Sequence, residues 1–348
     1  MSNLLDDEKY VRSVDRGGML KVLERFPDMC REAVVQAKEF EIDFGKRFKN
    51  VVVAGMGGSA IGGILLRDWL ADRSPLPIIV SRDYHLSAFV DERSLVILVS
   101  YSGNTEETLS AYREAAERGC MRVVLSSGGE LLGLAEEEGI TVMRLPVGYQ
   151  PRVSLPYQFF NLVILASKCG LAEGFNMEVS ETLDLLSVLS EEYRSSTAVN
   201  PAKRLAMELE GCVPFVYGPK LYEGVAYRLG TQLNENSKVP ASSGFFPEVF
   251  HNVVMGSEAS QQVLDKICVV LIRDPIEERA YAGKLATFKE LFTARGVKVI
   301  ELEARGKERL SRMVSILFLG DYVSAYLALL YGKDPSMVNA ISRMKQRN

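Results

Sequence analysis

The sequence predicts an α/β protein built from two doubly wound parallel sheets. Three observations carry this. The chain has 348 residues, too many for one ordinary domain and comfortable for two. Short apolar runs closed by glycine or serine, as buried parallel strands are, alternate with amphipathic stretches of helical length. The alternation occurs twice, on either side of a long segment of helical character at 151–211.

Taken in order, residues 1–48 read as a helical lead-in, with Pro27-Asp28 offering a fresh helix start. The first sheet domain is expected over 49–150. Its strands are the runs 50–55, 77–81, 95–100, 122–126 and 141–145, and its helices include 61–70 and 105–118. The segment 151–211 reads as a helical connection. The second domain is expected over 212–348, with strands at 213–218, 267–273 and 297–302, a helix at 311–331 and a tail at 335–348.

Composition narrows the function. Hydrophobic residues make up 47% and charged residues 25%, as in a globular protein with sizeable cores. A net charge of −4 gives no basic field for nucleic acid, so an anionic ligand needs a local site. Five cysteines, at 30, 120, 169, 212 and 268, are odd in number and widely spaced, with no C-x-x-C pair; they read as buried free thiols and not as a disulfide framework or zinc site. The acidic, polar start MSNLLDDEKYVRSVD is not a secretory signal. Two apolar stretches, 154–171 and 315–332, are interrupted by Gln158, Asn161 and Lys168, and by Asp321, and read as buried helices instead of membrane spans. The expectation is a cytoplasmic protein with no nucleic-acid or membrane partner.

Five segments carry chemistry. Gly55-Met56-Gly57-Gly58-Ser59-Ala60-Ile61-Gly62-Gly63 follows a strand and opens a helix, where a ligand can approach the backbone and free N–H groups attract an anion. A dinucleotide site is disfavoured, because the glycine spacing is off and the next strand, ending Val-Ser-Arg, offers no acid for a ribose. Ser100-Tyr101-Ser102-Gly103-Asn104-Thr105-Glu106-Glu107-Thr108 also joins a strand end to a helix start; its hydroxyls and amides suit a phosphate monoester, although Asn104 or Thr105 could equally be an ordinary helix cap. In Gln232-Leu233-Asn234-Glu235-Asn236-Ser237-Lys238-Val239-Pro240, Glu235 is a candidate general base, or else part of a solvated helix end. In Phe246-Pro247-Glu248-Val249-Phe250-His251-Asn252, His251 can shuttle a proton or be a hydrogen-bonded core histidine; His85, the other histidine, sits in a polar loop and reads as surface. Pro151-Arg152 holds an arginine rigidly, for an anion or for an ion pair. Two distant histidines and no cysteine partner give no metal-ligand spacing, and no metal or organic cofactor is expected.

In this order, Gly-Met-Gly-Gly-Ser, Ser-Tyr-Ser-Gly-Asn-Thr-Glu-Glu-Thr, Pro-Arg, Glu-Asn-Ser-Lys-x-Pro and Pro-Glu-x-x-His-Asn resemble the bifunctional phosphoglucose/phosphomannose isomerases of archaea and some bacteria, over about residues 50 to 345. The resemblance implies two flavodoxin-like sugar-isomerase (SIS) domains per subunit, a homodimer with its active site at the subunit interface, and no cofactor. It implies interconversion of glucose 6-phosphate and mannose 6-phosphate with fructose 6-phosphate through a cis-enediol, a step of carbohydrate metabolism. The sugar phosphate falls on Gly57, Gly58, Ser59, Ser100, Ser102 and Thr105. The catalytic glutamate falls on Glu235, the histidine, supplied by the partner subunit, on His251, the arginine on Arg152, and the C-terminal lysine on Lys345.

The rivals are a non-catalytic sugar-phosphate-binding SIS protein, a single-specificity phosphoglucose isomerase and an amidotransferase-type isomerase. A binder of the first kind often carries a basic helix-turn-helix, which the acidic first 48 residues do not resemble. The amidotransferase needs a nucleophilic cysteine in an N-terminal glutaminase, and Met1-Ser2-Asn3 offers none.

Overall fold

Asn50–Ala54 and Ser94–Ser100 are buried at every position, so neither alternates; each is a central strand covered on both faces. They are β1 and β3 of a parallel sheet in a computed structural model that describes residues 4–41 and 48–345. The chain divides into two units, Phe26–Val179, and Met1–Arg25 with Ser180–Asn348. Residues 1–3, 42–47 and 346–348, including part of the expected lead-in and tail, lie outside the described residues.

In the unit Phe26–Val179, helix α1 (Phe26–Glu39) has Pro27 in its first turn, where a missing N–H costs nothing. After β1 comes α2 (Ile61–Leu70), then β2 (Ile78–Ser81), β3, α3 (Glu106–Glu117), β4 (Met121–Ser126), α4 (Gly129–Glu137), β5 (Thr141–Arg144) and α5 (Leu155–Lys168). The sheet order is β2-β1-β3-β4-β5, all parallel. One core packs Val52, Val96, Leu98 and Val124 against Leu109, Tyr112, Leu131 and Ala135 of α3 and α4. The intervening residues point the other way; Val53 meets α2 at Gly63, and α1 and α2 pack on α5.

In the other unit, β6 (Val213–Pro219), α6 (Glu223–Gln232), β7 (Ser242–Phe246), β8 (Ile267–Arg273), α7 (Ala282–Thr293), β9 (Lys298–Glu303), α8 (Arg309–Leu330) and α9 (Asn339–Lys345) follow one another. The parallel sheet order is β7-β6-β8-β9. Tyr217, Val269 and Leu271 pack on Leu285, Phe288 and Phe292 of α7. Helix α8 is long and apolar enough to cross a membrane by composition alone, yet 94% of its most apolar window is buried, and α6 and the helix Pro201–Leu209 pack against it. The five cysteines are free thiols; Cys30, Cys120 and Cys268 are buried as expected, whereas Cys169 and Cys212 are only half-buried.

Candidate active site

In the first sheet the strand order reverses direction between β1 and β3, and the crevice outside their carboxyl ends is where open α/β sheets take ligands. Both loops read from the sequence lie there. The loop after β1 makes a short helical turn, Gly57–Ser59, before α2. Gly58 faces the backbone of Pro151 and Arg152 so closely that a Cβ at this position would lie 2.9 Å from Arg152 N and 2.9 Å from the Pro151 carbonyl carbon. Only glycine lets the two segments meet. The Tyr101 N–H donates to Ser59 Oγ at 3.1 Å, which ties the first loop to the second.

The second loop is shaped by its own hydroxyls. Ser100 Oγ lies 2.9 Å from Thr105 Oγ1 and accepts from Gly103 N–H at 3.1 Å; Ser102 Oγ accepts from Asn104 N–H at 3.3 Å. Gly103 has φ +70°, and a Cβ there would lie 1.7 Å from the Gly128 carbonyl oxygen, so the loop requires glycine. Thr105 occupies the N-cap position of α3, but its side chain makes no capping bond. Its hydroxyl turns to Ser100, so Thr105 does not make the side-chain helix cap that the sequence offered.

Buried Arg152 is held by its turn. Gln158 Nε2 donates to the Pro151 carbonyl at 3.1 Å and to Ser154 Oγ at 2.6 Å, and Ser154 Oγ donates to the same carbonyl at 2.9 Å. Tyr101 Oη donates to the Pro146 carbonyl at 2.8 Å and accepts from Tyr149 N–H at 2.8 Å. Burial raises the Tyr101 phenol above its ordinary pKa, so it stays protonated and can keep donating. These supports escaped the sequence reading. Their one signal was Gln158, one of two amides in an apolar helix.

The switch point of the second sheet, between β6 and β8, is filled by the protein's own acid. Fully buried Asp274, just after β8, accepts from Tyr222 Oη at 2.6 Å, Arg312 Nε at 2.7 Å and Ile276 N–H at 2.9 Å. Burial pushes its pKa up, but the bonds from Tyr222 and Arg312 outweigh this and hold the carboxyl below its usual range. An anion at that position would meet a carboxylate.

Glu235 lies in a π-helical turn, Leu233–Ser237, that continues α6. Such turns insert an extra residue and occur often at functional sites. The turn is anchored to α8. Asn236 Nδ2 donates to Ser324 Oγ at 2.9 Å and Ser237 Oγ donates to the Ser324 carbonyl at 2.7 Å. Earlier in α6, Arg228 pairs with Asp321 at 2.7 Å, and Gln232 Nε2 donates to the same carboxylate at 3.0 Å. Glu235 itself is half-buried.

The Ala241 N–H donates to Asn234 Oδ1 at 3.0 Å, so the Glu235 turn lies at the amino end of β7. His251 comes after β7, beyond its carboxyl end. The five residues of β7 alone span about 16 Å, so these two residues stand at opposite ends of one sheet. His251 is exposed and borders a cavity of about 330 Å³ with Phe250, Lys284, Thr287 and Leu291. Lys345 ends α9, and its side chain lies outside the described residues. Exposed His85 stands 3.8 Å from Glu114, on the surface as expected. Among the described residues no group of three or more histidine, cysteine, aspartate or glutamate side chains is placed to hold a metal ion.

Gly57, Gly58, Ser59, Ser100, Ser102, Thr105 and Arg152 thus converge in one unit, while Glu235, His251 and Lys345 stand on separate segments of the other. Residues 198–347 match the bacterial phospho-glucose isomerase C-terminal SIS domain. A putative phosphosugar isomerase from Clostridium difficile has the same fold, with a TM-score of 0.72 over 94% of this chain and 97% of that one at 15% identity. The bifunctional phosphoglucose/phosphomannose isomerase of Aquifex aeolicus is 36% identical over 300 residues, 86% of this chain and 90% of the relative. That of Caldicellulosiruptor bescii is 38% identical over 333 residues, 94% of this chain and 98% of the relative. With such likeness along nearly its full length, the chain belongs to the bifunctional phosphoglucose/phosphomannose isomerase family.

Proposed function

We propose that this protein interconverts glucose 6-phosphate and mannose 6-phosphate with fructose 6-phosphate at one site, without a metal or organic cofactor. The observation that carries the reading is the crevice between β1 and β3, where two hydroxyl- and amide-bearing loops meet the backbone of a buried arginine. The phosphate binds Gly57, Gly58, Ser59, Ser100, Ser102 and Thr105. Helix α3 adds the open N–H groups and positive dipole end of its first turn.

His251 passes the proton needed to open the sugar ring. Glu235 then takes the C2 proton of the open-chain aldose; the C–H electrons become the C1=C2 double bond and the carbonyl electrons move onto O1. Arg152 lowers the energy of this enediolate. Glu235 returns its proton to C1, the O2 proton passes to O1, and the carbonyl is left on C2. Glucose and mannose 6-phosphates differ only at C2, which is planar in the enediolate, so one base serves both when the sugar rotates about C2–C3 and turns either face of C2 towards it. Lys345 is assigned to the site by family likeness.

The protein works as a homodimer in which His251 serves the partner's Glu235. The positions of Glu235 and His251 at opposite ends of β7 support this, since neither reaches the other along that strand. Work in the cytoplasm agrees with the five free thiols.

Glu235→Gln keeps the shape of the side chain and removes its basicity. Turnover of both aldose phosphates should fall together by about 10⁴ or more, at or beyond the upper end of general-base effects, while the enediolate mimic 5-phosphoarabinonate still binds. Near-normal turnover on either sugar, or loss of only one activity, would show the single-base scheme to be wrong.

A further inference from the structure

Where the Glu235 turn ends, Lys238 is the one non-glycine residue with positive φ among the described residues, at φ 59°, ψ 31°. Its N–H and that of Val239 both return to the Leu233 carbonyl, closing the turn as a left-handed C-cap does. Glycine or asparagine would take this conformation with less strain. What lysine adds is its ammonium. Nζ donates to the Glu235 carbonyl at 2.9 Å and the Asn236 carbonyl at 3.0 Å, and across the unit to the Asp334 carbonyl at 2.9 Å, with Pro335 O at 3.4 Å. Asp334 is itself fixed, its carboxylate accepting from Ser336 N–H at 2.9 Å and Gly17 N–H at 3.2 Å. A few residues later α9 begins, the helix that ends in Lys345.

We infer that Lys238 is a positioning residue, clamping the turn that carries Glu235 to the segment that launches the C-terminal helix. One ammonium neutralises carbonyls from both segments, so neither can shift without breaking bonds in the other. The inference rests on the reading of Glu235 as the base. It adds that the carboxylate is aimed by a strained residue three positions on, and that the base and the tail share one support. Strained backbone persists where the surrounding structure holds it, often beside functional groups.

The test compares Lys238→Met and Lys238→Asn in the full-length protein with Glu235→Gln alongside. Methionine keeps most of the length and the strain but has no donor. Asparagine accepts the left-handed conformation and is too short to reach residue 334. Both should lower kcat by about tenfold or more, because small misplacements of a reacting group are costly. KM should stay within about threefold and the melting temperature of Lys238→Asn should remain close to that of the parent, since substrate contacts and fold are untouched. Unchanged kcat in both variants overturns the proposal, as does a fall confined to Lys238→Met, which would make strain and not the ammonium the cause. A kcat loss matched by loss of folded protein also overturns it, leaving only a structural role. An active Glu235→Gln would instead overturn the base assignment, whereas an inactive Glu235→Gln beside unimpaired Lys238 variants overturns the clamp alone.

Discussion

Thr105 is a residue whose position suggests one role and whose contacts serve another. It stands at the N-cap of α3, yet its hydroxyl leaves the helix and meets Ser100. Ser102 likewise spends its hydroxyl on the loop amide of Asn104. Each oxygen keeps hydrogen-bonding capacity beyond these contacts, because a hydroxyl offers one donor and two lone pairs. With both hydroxyls gone, the proposed phosphate site loses side-chain partners while α3 loses no cap. Ser102→Ala with Thr105→Ala should therefore raise KM for the sugar phosphates by about tenfold or more, equivalent to about 1.4 kcal/mol of lost binding. Steady-state kinetics with fructose 6-phosphate would check this, and an unchanged KM would remove phosphate from these loops.

At the scale of elements, the strands that are continuous apolar runs could be read directly; β1, β3 and β8 owe their form to burial on both faces, which leaves an unmistakable pattern. Strand β7 could not, because Ser242-Ser243-Gly244-Phe245-Phe246 is short, polar at its start and only half-buried. The loops after β1 and β3 were legible because glycine and hydroxyl residues mark them locally. The support of Glu235 was not, because it depends on residues far apart in the chain: Arg228 meets Asp321, and Asn236 meets Ser324. Asp321 stood out only as a charge in an apolar helix. Its partner Arg228 is buried as well, the two side chains being 2% and 3% exposed. Removing one member of such a pair strands the other in a low-dielectric core, so Asp321→Leu should cost about 3–5 kcal/mol in urea denaturation. The double replacement Arg228→Met with Asp321→Leu should recover most of that loss. Equal destabilisation by the single and double changes would mean that the pair contributes packing and not charge compensation.

At the scale of the molecule, the second sheet is not a copy of the first in its chemistry. The first leaves hydroxyls and amides at its switch point; the second seals the corresponding point with Asp274 and uses its other loops to carry Glu235 and His251. Those two residues stand at opposite ends of β7, and the proposed dimer resolves the separation by pairing each Glu235 with the partner's His251. The arrangement has a consequence that an arrangement within one chain lacks. In a mixed dimer of Glu235→Gln and His251→Ala chains, one site combines both substitutions and the other combines an intact glutamate with an intact histidine. Random pairing of equal amounts makes half of all dimers mixed, so about a quarter of all sites regain both groups in a two-fold symmetric assembly. Co-expression of the two variants with different affinity tags, followed by capture of the doubly tagged dimer, isolates the mixed species, whose turnover should approach half that of the wild type per dimer. If glutamate and histidine instead served the same site within one chain, every site in the mixed dimer would lack one of them, and its turnover would be no more than the mean of the two parent variants.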